Sequence, residues 1–155
     1  MSDQTAELDR FDRAILRILQ RDNQRSHEAI GRAVGLSGSA VRRRIVRLRE
    51  EGVIARDVSL LDPVGWGVRL IVTLTFGEET VEAYEALDEQ MAAEPHVMQS
   101  YHVAGTEDYV LIVHGPNLPW YEAWSKDTFM TNPAIRRYET KVVWSCKKFE
   151  TSVPL

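Results

Sequence analysis

From Val68 to Phe76 the chain alternates with a period of two: Val68, Leu70, Val72, Leu74 and Phe76 fall on one side, and Arg69, Ile71, Thr73 and Thr75 on the other. Successive side chains of an extended segment point to opposite faces, so this stretch demands a strand whose apolar face is covered by a second layer. Nothing upstream of it has that period. There the apolar residues recur at helical spacing instead, and Asp62-Pro63 with Gly65-Trp66-Gly67 interrupts all periodicity between the two regimes. The sequence therefore divides into a helical domain over 1–61, a linker over 62–67 and a second domain over 68–155.

After the strand, Glu78 to Ala93 reads as a helix burying Val81, Tyr84, Leu87 and Met91, stopped by Glu94-Pro95. Val97–Ala104 and Tyr109–His114 read as two strands joined by Gly105-Thr106-Glu107-Asp108. Asn117 to Met130 follows as a helix with Pro119 in its first turn, and a long last strand is expected from Ile135 to Phe149. The order βαββαβ predicts an α+β, ferredoxin-like sandwich, two helices on one face of an antiparallel sheet. The other face also needs cover, and a homodimer through this domain supplies it. Trp120, Tyr121, Trp124, Tyr138 and Trp144 read as core or interface residues.

In the first domain Leu8, Phe11, Ile15 and Leu19 mark one helix, with turn chemistry at Asp22-Asn23. Ser26 caps a short second helix that carries Ile30 and Val34 inward and ends at Gly35. A turn at Gly35-Leu36-Ser37 leads to a third helix, capped by Ser37 or Ser39 and running to Glu51 before Gly52. At about 100° per residue, Val41, Ile45 and Leu48 share one face of it, while Ser39, Arg42, Arg43 and Val46 lie opposite. Val53 to Leu61 is expected to form a β-hairpin, a wing beside that helix, with Arg56 within reach of a phosphate.

Charge divides the same way. The whole chain carries a net charge of −4, yet residues 1–61 hold 12 arginines against 9 carboxylates and residues 62–155 hold 7 cations against 14 carboxylates. Five of the eight residues from Arg42 to Arg49 are arginine, a concentration that repels itself in isolation and becomes favourable among phosphates. A helix-turn-helix places this helix in the major groove of double-stranded DNA. The candidate DNA contacts are Ser37, Ser39, Arg42, Arg43, Arg44, Val46, Arg47 and Arg56.

The remaining composition narrows the alternatives. With 44% hydrophobic and 27% charged residues the chain reads as a globular protein, and its apolar runs are strand-sized, far short of the roughly 20 residues of a membrane span, so a cytoplasmic, nucleoid-associated protein with no membrane partner is expected. One cysteine, Cys146, precludes an intrachain disulfide. The histidines His27, His96, His102 and His114 have no metal-ligand spacing and no nucleophile motif beside them, which argues for no catalytic residues, no metal and no cofactor.

Several strings resemble the Lrp/AsnC family of feast/famine regulators: Leu8-Asp9 with Asp12 and Ile15-Leu16, Leu19-Gln20-Arg21-Asp22, Val34-Gly35-Leu36-Ser37 with Ser39 and Val41, Arg44-Ile45 with Arg47-Leu48, and Glu51-Gly52-Val53-Ile54. Leu61-Asp62-Pro63 with Gly67 resembles the family's linker, Gly105 with Asp108-Tyr109 its turn between strands, and Pro154-Leu155 a common ending. The resemblance implies a winged helix-turn-helix joined to a RAM/AsnC-type domain. It also implies a homodimer, often four dimers as an octamer, that binds promoter DNA and responds to an amino acid or a related metabolite. It places the effector at His102, Gly105, Thr106, Glu107, Asp108, Tyr109 and Lys141. An amino-acid ligand needs a cation or N–H groups for its carboxylate and an acid for its ammonium group, roles that fall to Gly105 and Asp108 on this reading. Two other classes share the architecture: enzymes resembling sirohaem decarboxylases, for which Arg42-Arg43-Arg44 and Arg47 would be superfluous, and architectural DNA-compacting proteins with no effector.

Overall fold

The computed structural model describes residues 7–61, 65–78 and 80–155. The chain forms two compact units, Met1–Leu61 with Lys148–Leu155, and Asp62–Lys147. The expected linker residues Asp62 and Pro63 lie outside the described residues.

The first unit holds α1 (Arg10–Leu19), α2 (His27–Val34) and α3 (Gly38–Glu50). Asp9 caps α1 by accepting from the N–H groups of Phe11 and Asp12, and the Asp12 carboxylate accepts in return from the Asp9 N–H, so two orphan donors are satisfied reciprocally. Ser26 caps α2, and Gly35 ends it at φ 77°, the left-handed conformation that glycine adopts without penalty. Gly31 is needed for a different reason: a Cβ there would stand 2.4 Å from the Leu36 carbonyl, so only a glycine lets the turn cross α2 this closely. Ile15, Ile30, Val41 and Ile45 form the core of the three helices.

No hairpin follows α3. Residues 53–61 form no strand pairing, and the expected wing is corrected accordingly. Ile54 turns inward, its N–H donating to the Leu48 carbonyl at 3.0 Å, and Asp57 folds back onto Arg49 at 2.9 Å, so the segment is spent on closing the end of α3. The chain's last residues complete this unit. The Gln20 side-chain amide donates to the Val153 carbonyl at 3.1 Å and accepts from the Val153 N–H at 2.6 Å, while Arg17 Nε donates to the Leu155 main-chain oxygen at 2.8 Å.

The second unit is a four-stranded antiparallel sheet in the order β2-β3-β1-β4, from β1 (Val68–Phe76), β2 (Val97–His102), β3 (Tyr109–Gly115) and β4 (Ile135–Val142). Helices α4 (Val81–Ala93) and α5 (Leu118–Ser125) cover one face, and α5 continues into a π-helical turn, Lys126–Met130. The period of two in β1 is realised in full: Leu70, Val72, Leu74 and Phe76 are buried with Tyr109, Leu111, Val113, Leu87, Met91, Tyr121 and Phe129. The alternate positions, Ile71, Thr73, Thr75, Val110 and Ile112, are only half-buried. Val81, expected inside, is 66% exposed because it occupies the first turn beyond the Thr80 cap. Trp144, expected in core or interface, is 95% exposed within the chain. β4 ends at Val142 rather than Phe149. Its partner β1 begins at Val68, and the Val143 N–H donating to the Arg69 carbonyl at 2.9 Å is the last bond between the two segments among the described residues.

Candidate nucleic-acid interface and small-molecule site

On α3 the buried stripe is Val41, Ile45 and Leu48, as the helical period requires. Ser37 is the N-cap, accepting from the Ala40 N–H at 3.2 Å, and its hydroxyl lies 3.1 Å from that of Ser39. Arg42 and Arg43 are exposed, and neither forms an ion pair among the described residues. Val46 is 41% exposed beside them, and Arg56 is exposed in the segment that follows.

Two other arginines of the run are tied to α1 by ion pairs while remaining partly exposed. Arg44 reaches Asp9 at 2.7 Å and Asp12 at 2.8 Å, and Arg47 reaches the other oxygen of Asp12 at 2.6 Å. Asp12 is fully buried, so its charge is tolerable only because two guanidiniums and a backbone N–H surround it. Its hydrogen bond, followed by that of Asp9, raises the pKa of Arg44 above its ordinary value. The pairing had a signal in the sequence: two carboxylates three residues apart, the cap Asp9 and Asp12 in the first turn of α1, face two arginines three residues apart on α3, and i,i+3 positions share a helix face. Ser39, Arg42, Arg43 and Val46 are thus left on the outward face, with Arg44 and Arg47 bound to α1.

The turn before β3 is likewise divided. Asp108 does not face an open space: its carboxylate accepts from the Phe76 N–H at 2.7 Å and from the Tyr84 hydroxyl at 3.2 Å. Tyr109 is buried, its hydroxyl donating to Asp88 at 2.9 Å, and burial pushes its pKa up. His102 stacks on Tyr109 with ring centroids 5.1 Å apart. These three side chains therefore belong to the helix-covered side of the sheet. Thr106 and Glu107 go elsewhere, lining a depression of about 360 Å³ with Thr73, Thr75, Arg136, Arg137 and Glu139. Gly105, at the tip of the turn, has open space where a Cβ would stand. Lys141 does not line the depression and approaches Glu139 at 3.9 Å. Sequence reasoning missed Arg136 and Arg137, whose common orientation depends on an irregularity in β4.

Residues 8–49 match the AsnC-type helix-turn-helix domain and residues 69–153 match the Lrp/AsnC ligand binding domain. The chain belongs to the Lrp/AsnC family of DNA-binding transcriptional regulators. Among relatives of this Lrp/AsnC regulator, the HTH-type transcriptional regulator y4tD of Sinorhizobium fredii is 34% identical over 157 residues, covering 100% of this chain and 93% of that protein. The transcriptional regulator AzlB of Bacillus subtilis is 32% identical over 153 residues, covering 96% of each. An AsnC family regulator from Agrobacterium tumefaciens has the same fold, with a TM-score of 0.86 at 34% identity over 95% of this chain and 97% of that one. A Neisseria meningitidis regulator crystallised with L-Met matches at a TM-score of 0.86 and 23% identity, covering 95% of this chain and 96% of that one. Among the described residues of the Lrp/AsnC regulator, no helix is long and apolar enough to cross a membrane.

Proposed function

We propose that this regulator reads operator DNA with Ser39, Arg42, Arg43 and Val46, with Ser37 and Arg56 beside them as phosphate contacts, and that a small-molecule effector of the amino-acid class adjusts that binding through the second unit. The observation that carries the reading is the exposed pair Arg42 and Arg43, without an ion pair among the described residues, on a helix whose opposite face is buried. Guanidiniums so displayed supply bidentate contacts to guanine edges and pairing with phosphates. Arg44 and Arg47 serve the same interface indirectly, by fixing α3 against α1. The protein acts as a cytoplasmic, nucleoid-associated regulator and catalyses no reaction, in keeping with relatives that are transcriptional regulators. An amino-acid effector is supported by the ligand-binding domain and by the L-Met bound to the Neisseria protein.

Assembly follows from the sheet. The half-buried face that carries Ile71, Val110 and Ile112 pairs with a second copy, giving a homodimer from which larger rings are built. Titrating the full chain against its own upstream region, with and without amino acids that raise its melting temperature, tests the reading as a whole. Saturable, sequence-dependent binding that shifts with such a compound is expected, together with a dimeric or larger mass by light scattering. Equal affinity for unrelated DNA and indifference to every amino acid would instead indicate an architectural protein.

A further inference from the structure

The two units are joined twice. The chain crosses from the first to the second at 61–62 and returns from the second to the first at 147–148. The match to the ligand binding domain runs to residue 153, so the end of that domain's sequence is built into the unit that carries α3. In the second unit both connections start from one place: β1 begins at Val68, β4 ends at Val142, and the two are antiparallel neighbours with Leu70 opposite Val142.

In the first unit the connections reach different helices. One leaves the segment after α3, where the Ile54 N–H is bonded to Leu48 and Asp57 to Arg49. The other ends on α1. The Gln20 amide brackets Val153, accepting from its N–H and donating to its carbonyl, and Arg17 donates through Nε and Nη2 to the Leu155 main-chain oxygen. Just upstream, the Glu150 carboxylate accepts from the N–H groups of Thr151 and Ser152 at 3.1 and 3.0 Å, fixing the turn by which the tail arrives. Asp9 and Asp12 tie α1 in turn to Arg44 and Arg47 of α3.

A body on one flexible connection swings about it in every direction, whereas a body on two is confined mainly to rotation about the line joining them, a hinge. The bonds of the tail to α1 are exposed and individually weak, but the tail belongs to the same chain, and its effective concentration at α1 keeps the grip closed.

We infer that residues 148–155 are a strap limiting how far the recognition helix of each copy can swing, and that Arg17 and Gln20 are positioning residues that set which spacing between two DNA half-sites a homodimer accepts. The inference rests on the DNA-reading homodimer proposed above and adds a constraint that the outward face of α3 does not supply. Half-sites displaced by about 5 base pairs face opposite sides of the duplex, and a pair of strapped recognition helices cannot follow them.

The test is gel-shift titration of the full-length protein on the site footprinted in its own upstream region, on that site with about 5 base pairs inserted at its centre, and on one half of it. The parent should lose at least about tenfold in affinity on the insertion. The variant with both Arg17→Ala and Gln20→Ala should lose less than about threefold, and its affinity for the half-site should stay within about threefold of the parent's. Gln20→Ala alone, and a chain shortened by Ser152–Leu155, remove no cation and should shift in the same direction. Melting curves set a temperature at which each variant is folded, and Gln20→Ala decides if the double variant is too unstable. A variant as sensitive to the insertion as the parent, or a parent indifferent to it, would overturn the strap while leaving DNA reading by α3 in place. An equal loss on all three duplexes would make Arg17 a direct DNA contact and overturn it too. Failure of the parent to prefer its own site over unrelated DNA would remove the DNA reading and this inference with it.

Discussion

The Arg44 guanidinium stands 2.8 Å from the buried carboxylate of Asp12, and that contact separates the arginines of α3 into those that build the helix packing and those that face outward. Asp12→Ala strips Arg44 and Arg47 of their common partner and removes an acceptor from the Asp9 N–H. Hydrogen bonds to charged groups contribute about 1.5–3 kcal/mol each when geometry is good, and both arginines can rehydrate, so a loss of about 2 kcal/mol is expected. Urea unfolding with a far-ultraviolet readout measures it. A variant as stable as the parent would show that the pairs contribute nothing net.

Arg42→Ala with Arg43→Ala should weaken operator binding by about 2 kcal/mol or more with the fold intact. The logarithmic dependence of affinity on salt should flatten by up to about 2 units if both contacts are to phosphates. Arg44→Ala should behave in the opposite manner, costing stability first. Gel-shift titrations at two salt concentrations, with melting curves for each variant, separate the two classes. Identical DNA affinity in the Arg42/Arg43 double variant would dismiss the assignment of the outward face.

Acid should weaken the first unit through Asp9. The Asp12 N–H, with help from the Arg44 side chain and the Phe11 N–H, holds the Asp9 carboxyl below its ordinary value of 3.8. A folded pKa lower than the unfolded one means that the stabilisation is present above the ordinary value and is lost as pH falls through the depressed value. Melting temperatures between pH 6 and pH 3 should therefore fall more steeply in the parent than in Asp9→Asn, which keeps an N-cap oxygen but cannot titrate. Parallel pH profiles would rule out this contribution.

The sequence carried the helices and the sheet well because their signals are local. Ser26, Gly35 and Ser37 sit at caps and turns whose chemistry is written in three or four residues, and β1 matches the Val68–Phe76 alternation residue for residue. What escaped depends on a partner. β4 was expected to continue through Val143 and Trp144, whose composition suits a strand, but only the end of β1 decides where pairing stops. The wing failed for a similar reason, since Ile54 found a better partner in the end of α3. Family resemblance led to the turn bearing Thr106 and Glu107, while Arg136 became visible only through the register slip that turns it toward them.

Asp108 illustrates that difference and supplies another prediction. With its carboxylate bonded to the Phe76 N–H and the Tyr84 hydroxyl, Asp108→Ala should lower the stability of the second unit by about 1–3 kcal/mol, because a main-chain donor loses its acceptor. Calorimetric titration with the tightest-binding amino acid should give an affinity within about threefold of the parent's at a temperature where the variant is folded. A complete loss of ligand binding in a folded variant would instead give Asp108 a direct role at the ligand.

The grip of Arg17 and Gln20 on Val153 and Leu155 also bears on the order in which the molecule is made. Domains generally fold as they leave the ribosome, the N-terminal one first, at about 5–20 residues added per second. Here the first unit includes Lys148–Leu155, so α1 emerges early but waits for its last contacts until the whole second unit has been translated. For some seconds of each synthesis, Arg17 and Gln20 therefore lack the backbone partners that they hold in the finished protein.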